Sequence, residues 1–412
     1  MSFATASLIY KGEMIVMVIL KNANYTQFLA ETQAKRIICY GAGGTFNDFI
    51  RLNRAHISVL ETIDYILESE KEKSGKQISI GTQSIPIMTV SEFCVLGIDL
   101  IDYVIILCVS EKNTMAVVKT LDEIREFENV ICYLGFTALS WGKDVFVPPL
   151  STKENLPTSD IRYEIPKKIH YIWFGDKPLG SVEQDCIESW KKHCGDYEII
   201  LWNEANYDIA DKPIYVRQAY EAKKYAFASD FARLDIVYKY GGFYLDTDVL
   251  LLRSLDDFIK YKAVFGYLPY NEINTGLGFG SIPGNKDIRN QMKIYENVLF
   301  INDDEMNLTP CPEYSTEYFR QVGLDIDNRL QLVDNTLFLP SDFLCSLMPI
   351  MCENGFYHLP LFALTENSYA IHLCRSSWFE KEMYNAFDNA KTNFYEINKR
   401  LLADWQRSYI NE

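Results

Sequence analysis

Apolar and polar positions change rhythm twice along the chain. From Arg36, apolar runs of strand length alternate with stretches of helical period. A strand at Arg36–Tyr40 runs into GAGGTF, and further strands are expected near Val59–Leu67, Ile85–Met88, Tyr103–Cys108 and Val130–Tyr133, with helices from Ser91 and Asn113. That alternation predicts a small Rossmann-like parallel α/β domain over residues 1–147. Residues 148–164 lose all hydrophobic period and carry prolines, serines and threonines, which marks a linker. The rhythm resumes at Ile165, where PKKIHYIWFGD reads as a first strand ending in aromatic residues. A helix around Cys186–His193, strands at Tyr197–Trp202 and Ala263–Tyr267, and terminal helices over Glu380–Glu412 complete a second α/β domain at 165–412.

The second domain is organised around Tyr225–Leu252, YAFASDFARLDIVYKYGGFYLDTDVLLL. Ser229 as N-cap and Leu234, Val237 and Tyr238 at helical spacing predict a helix over Asp230–Tyr240, stopped by Gly241 and Gly242. Phe243–Leu245 then reads as a buried strand. Asp246 and Asp248, two apart on extended chain, would leave the backbone on the same side, where a cation between them is the cheapest way to keep both ionised. A hard divalent ion with oxygen ligands suits that pair, and it would serve a diphosphate substrate by bridging phosphate oxygens. Asp230 and Arg233, at i and i+3, add a carboxylate for hydroxyls and a guanidinium for phosphate. Phosphatases of the haloacid-dehalogenase type also place DxD after a strand, but they need a small hydroxyl or branched residue where Leu250 stands, and a glycine-rich turn that is absent here.

The combination SDxxR and YGGxYxDxD, at this mutual spacing, resembles the DXD-containing sugar-transferase family of bacterial capsule glycosyltransferases, fungal mannosyltransferases and clostridial toxin glucosyltransferase domains. The resemblance runs from Ile165 to Trp378 and implies a GT-A-type domain. In that family the IHxxWxG motif supplies a base-stacking tryptophan, here Trp173, flanked by Ile172 and Phe174. The resemblance further implies donor contacts from Asp230, Arg233, Tyr244 and Asp246, and a loop under the transferred sugar that contributes Asn274 and Gly276. A late H…SW segment corresponds to His372, Ser377 and Trp378, with His372 beside Asp246 and Asp248 as a metal ligand. The second aromatic that many relatives show in that segment is missing. Implied with these residues are Mn²⁺ or Mg²⁺, a UDP-hexose donor, a saccharide or lipid-linked saccharide acceptor met at a membrane surface, and transfer with retention of configuration in capsular or surface polysaccharide synthesis. A protein acceptor is the alternative.

Composition narrows the remaining classes. At 412 residues, 48% of them hydrophobic and 14% aromatic, the chain can bury two cores. A net charge of −16 argues against nucleic acid as the partner. Ten cysteines without a CxxC pair read as reduced thiols in a cytoplasmic protein, and the apolar run at residues 14–20 is too short for a membrane span. Gly41 and Gly43 fit the first two glycines of a dinucleotide fingerprint, but its third falls on Phe46. That mismatch, and the lack of a YxxxK-like dyad in residues 1–150, argues against an NAD-type oxidoreductase or epimerase and for a degenerate module. Asn203 and Glu204, just past a strand's carboxyl end, are further ligand-facing candidates.

Overall fold

The computed structural model describes residues 17–137, 154–373 and 381–409, apart from residues 24, 54–56, 159–160, 162, 270, 304 and 353–354. The chain divides into two compact units: Ala6–Leu150 with Met348–Leu364 and Asn385–Glu412, and Ser151–Leu347 with Met1–Thr5 and Thr365–Tyr384.

The first unit is built on β1 (Ile19–Lys21), β2 (Arg36–Tyr40), β3 (Ile63–Leu67), β4 (Gln77–Ile80), β5 (Gln83–Met88), β6 (Tyr103–Leu107) and β7 (Ile131–Leu134), in the order β1-β7-β6-β2-β3-β5-β4. Every neighbouring pair is parallel except β4 with β5. The expected strand from Val59 begins instead at Ile63, after a short helix, Ile57–Leu60, and a polar turn at Glu61–Thr62. Phe46, at the third-glycine position, is buried beside Phe49 and Ile106 in the core of this unit. The carboxylate of Glu68 accepts a hydrogen bond from the Ala42 amide within the GAGG turn at 3.1 Å and pairs with Lys73.

The terminal helix Lys381–Tyr409 was expected with the second domain, yet its described half belongs with the first unit. Ile397, Leu401, Leu402 and Trp405 bury its apolar side, Arg400 pairs with Asp122, and Asp404 accepts the Leu20 amide at 2.8 Å. A domain drawn as one continuous stretch from Ile165 therefore cuts this helix from its partners, because the packing is between distant parts of the sequence.

The second unit is a mixed sheet. Its strands are β8 (Lys168–Ile172), β9 (Glu198–Trp202), β10 (Gly242–Tyr244), β12 (Ala263–Leu268), β13 (Glu272–Asn274), β14 (Phe279–Ser281), β17 (Gln331–Val333) and β18 (Thr336–Leu339), with β11 (Val249–Leu251) outside it. The order is β17-β18-β12-β14-β10-β8-β9, with β13 on β12. Short two-stranded pieces complete the set: β15 (Ile301–Asn302) with β16 (Glu305–Met306), and β11 with β21 (Ala370–His372), while the pair β19 (Leu347–Cys352) and β20 (Gly355–Phe362) falls, from Met348 on, in the first unit. Because β8, β9 and β10 are parallel, their carboxyl ends open on one edge, the edge where open α/β sheets hold ligands.

The helix Tyr225–Tyr240 packs on this sheet, and eleven of its residues, Phe227 to Val237, are buried in one run. It starts five residues before the expected Asp230, so Ser229 lies inside it and caps nothing. The Ser229 hydroxyl donates back to the Ala226 carbonyl at 2.6 Å, a local bond open to serine within a helix. Gly241 ends the helix at φ 62°, a left-handed value that glycine takes without strain.

His170 of β8 secures that junction. Its Nδ1 accepts from the Trp202 indole at 3.1 Å, which puts the ring proton on Nε2, 2.8 Å from the Gly241 carbonyl it donates to. Burial pushes this imidazole down to about 4, against about 6.5 for an unfolded histidine. A group with a depressed folded value keeps its contribution above the unfolded value and loses it as pH falls toward the folded one. His170 should therefore cost about 2 kcal/mol of stability between pH 7.5 and 5. Urea unfolding of wild type and His170→Gln at the two pH values checks this, since the variant should show the smaller drop; equal drops would remove the neutral-histidine link.

Candidate active site

The helix, the carboxyl edge of the sheet and β21 bring most of the expected residues together. Asp246 and Asp248 follow β10 in a tight turn, closed by the Val249 amide on the Asp246 carbonyl at 3.0 Å. Their carboxylates converge through this turn, and the extended-chain geometry expected for them is not what is found. β11 then pairs antiparallel with β21, setting Val249 opposite His372. Ligand atoms of Asp246, Asp248 and His372 lie within 4.8 Å of one another, with His372 Nε2 at 3.2 Å from Asp248 Oδ1. Two carboxylate oxygens and an imidazole nitrogen fit a divalent cation such as Mn²⁺ or Mg²⁺.

Arg233 is the hub behind that cluster. Its Nη2 reaches Asp230 Oδ1 at 3.0 Å, Asp246 Oδ1 at 3.4 Å and the Ser229 hydroxyl at 3.0 Å, while Nε donates to the Ser229 carbonyl. The guanidinium stacks on the Tyr244 ring at 4.9 Å, and the Tyr244 hydroxyl donates to Asp246 Oδ1 at 2.8 Å. At 3% exposure, with these donors engaged, Arg233 orients the two carboxylates and is poorly placed to grip a phosphate itself. Burial pushes the Asp230 carboxyl up to about 7, with Arg233 opposing and the Asp246 charge adding. One guanidinium among the carboxylates of Asp230, Asp246 and Asp248 leaves an excess of negative charge, which a divalent cation would offset.

The glycine-dense loop closes the other side. Asn274 Oδ1 accepts the Gly276 amide at 2.7 Å, and the Gly276 carbonyl accepts the Asp246 amide at 3.2 Å. A Cβ on Gly276 would collide with the Asp246 carboxylate and come within 3.0 Å of Arg233 Nη1 and 3.1 Å of Asn274 Oδ1. The absent side chain is thus what lets this loop lie against the acidic turn.

At the end of β8, Trp173 is half-buried and outside the core cluster, whereas the side chains of Ile172 and Phe174, expected against the donor, are both 7% exposed and belong to that cluster. Phe174 packs on Tyr207 and Tyr220. Tyr244 is likewise buried and acts on Asp246. The Trp173 indole donates to the Lys177 carbonyl at 2.6 Å, fixing its plane. Glu204 accepts the Gly175 amide at 2.7 Å and the Tyr220 hydroxyl at 2.9 Å, so it braces the turn after Trp173. Burial raises the Glu204 carboxyl, but those bonds outweigh it and hold it below its ordinary value. Ser377 and Trp378 lie outside the described residues.

Sequence reasoning did not foresee His170 or Cys311. The histidine stands in a motif already noted for its tryptophan; the cysteine reaches the site through folding alone.

Residues 180–265 match the family described as the glycosyltransferase sugar-binding region containing the DXD motif. The chain is 28% identical over 163 residues to Subversion of eukaryotic traffic protein A of Legionella pneumophila, covering 33% of this chain and 24% of that one. It is 36% identical over 124 residues to inositol phosphoceramide mannosyltransferase 3 of Schizosaccharomyces pombe, covering 28% and 33%. The chain thus spans a third or less of the length of these relatives. Among solved structures, PaToxG glycosyltransferase aligns with 39% of this chain and 70% of its own at 19% identity and a TM-score of 0.33, too loose to carry an argument. Asp230, Arg233, Asp246 and Asp248 all lie inside the matched region, so the residues that build the candidate site are those through which the chain resembles the DXD-containing glycosyltransferase family.

Proposed function

We propose that this chain is a metal-dependent, retaining glycosyltransferase with a GT-A-type catalytic unit. It moves a hexose from a nucleoside-diphosphate donor, read as UDP-hexose, to a hydroxyl of a saccharide or lipid-linked saccharide in surface polysaccharide synthesis. The observation that carries this reading is the convergence of Asp246, Asp248 and His372 at the carboxyl edge that also bears Trp173. The fungal relative's name pairs mannose with a lipid acceptor, in keeping with a hexose and a membrane-borne acceptor. Among the described residues no helix is long and apolar enough to cross a membrane, and a cytoplasmic enzyme working at a membrane surface fits that.

Asp246, Asp248 and His372 would hold the cation, which supplies charge neutralisation for the departing diphosphate. Trp173 stacks on the base. Arg233 and Tyr244 keep Asp246 aimed outward, and Asn274 and Gly276 face the sugar. Among the described residues no side chain stands out as a covalent nucleophile, and the family resemblance implies acceptor attack on the face the diphosphate leaves, with retention. Every described residue in these roles lies in the second unit.

A thermal-shift screen of UDP- and GDP-sugars with and without Mn²⁺ tests the proposal. A shift with one nucleotide class that needs Mn²⁺ supports it, and no shift with any would remove it. Trp173→Ala should then weaken nucleoside-diphosphate binding by about 1 to 3 kcal/mol, the scale of base–aromatic stacking. Calorimetry showing wild-type affinity would return Trp173 to a structural part.

A further inference from the structure

Cys311 opens the helix Cys311–Gln321, held between Pro310 at the N-cap and Pro312 in the first turn. Cys311 as a whole is 7% exposed, and its thiol lies 3.5 Å from Asn274 Oδ1 and 3.5 Å from Arg233 Nη1. The Asp230 carboxyl and the Thr275 hydroxyl are its other neighbours. Burial pushes the thiol well above its ordinary range, so the group present is a neutral S–H, able to donate to the Asn274 carboxamide while accepting from the guanidinium. The sulfur thereby adds a side-chain link between the loop through Asn274 and Gly276 and the Arg233 guanidinium that steadies Asp230 and Asp246, beside the backbone bond from the Asp246 amide to the Gly276 carbonyl. The flanking prolines fix the backbone from which it reaches. A serine hydroxyl, on a shorter bond to carbon, falls short of one of the two contacts; alanine makes neither.

We propose that Cys311 is a positioning residue of the donor pocket, setting the Asn274 carboxamide toward the transferred sugar and steadying Arg233 on Asp246. This rests on the nucleotide-sugar reading above. It touches no metal ligand directly, so its loss is felt by the donor more than by the cation.

The test uses the full chain as wild type, Cys311→Ala and Cys311→Ser, with Mn²⁺ binding followed by electron paramagnetic resonance and initial rates taken with UDP-glucose and GDP-mannose. The alanine variant should raise donor KM about tenfold, the effect of losing one such hydrogen bond, with kcat within about threefold. Serine should fall between alanine and wild type, and Mn²⁺ affinity should stay at the wild-type value. An unchanged KM in the alanine variant overturns the proposal, as does a parallel loss of KM, kcat and Mn²⁺ affinity, which marks general loosening. A urea-unfolding cycle of Cys311→Ala with Asn274→Ala decides the contact without turnover: coupling of about threefold or more in the unfolding constant supports it, and additivity overturns it. If wild type turns over neither donor, the glycosyltransferase reading suffers for those sugars, while the cycle still rules on Cys311.

Discussion

Asp248→Ala should abolish sugar transfer, lowering kcat on the order of 10³-fold or more, because the several kcal/mol of charge stabilisation that a bound cation supplies would be lost with its ligand. Asp248 lies on the turn that enters β11, and its backbone carbonyl accepts the Leu373 amide at 2.9 Å, a bond the substitution keeps. The pairing of β11 with β21 should survive, so the variant should fold. His372 loses its carboxylate neighbour at 3.2 Å and remains with Asp246 alone, too few ligands to hold the cation. Donor hydrolysis measured across a Mn²⁺ titration, beside a circular-dichroism melt, separates the outcomes. Near wild-type turnover in the variant in the presence of chelator would end the metal assignment.

Gly276→Ala is expected to lower kcat/KM about a hundredfold, the scale of a misplacement of roughly 1 Å within a catalytic constellation. One methyl group is enough. It would meet the Asp246 carboxylate, Arg233 Nη1 and Asn274 Oδ1 together, and none can yield cheaply. Asp246 is held by Tyr244 and Arg233, and Asn274 is tied to the Gly276 amide. Moving Asp246 would shift a cation held there, and moving Asn274 would shift the face that a donor sugar would meet. Kinetics paired with a melting temperature would show a loss of rate much larger than any loss of stability. Wild-type kinetics would mean that the loop has room and that its approach to the acidic turn is incidental.

The linear pattern brought Asp248 forward and the family resemblance brought Gly276 forward, and for Asp248 the reason is local. A buried helix, a glycine stop, a short apolar strand and two aspartates are governed by neighbours within about a turn or a strand of one another, so spacing alone sets Asp230 and Arg233 on one helix and Asp246 and Asp248 after one strand. The strands at Arg36–Tyr40 and Tyr103–Leu107 were legible for the same reason, being apolar runs between polar turns. Local pattern misjudged the start of the helix at Tyr225, because Tyr225 and Phe227 join it through tertiary packing that no capping signal announces.

What the sequence by itself determined is the α/β character of both parts and the pair of aspartates following a short buried strand, since each follows from short-range sterics and period. The tertiary structure alone decided the rest. Asp246 and Asp248 meet through a turn, and β11 pairing with β21 delivers His372 to them. Arg233 is enclosed by its partners, Cys311 arrives under Asn274 on a distant helix, and the terminal helix joins the first unit through Arg400 and Asp404. These are contacts between distant stretches, whose burial depends on the whole packed chain and leaves no periodicity in the sequence to read.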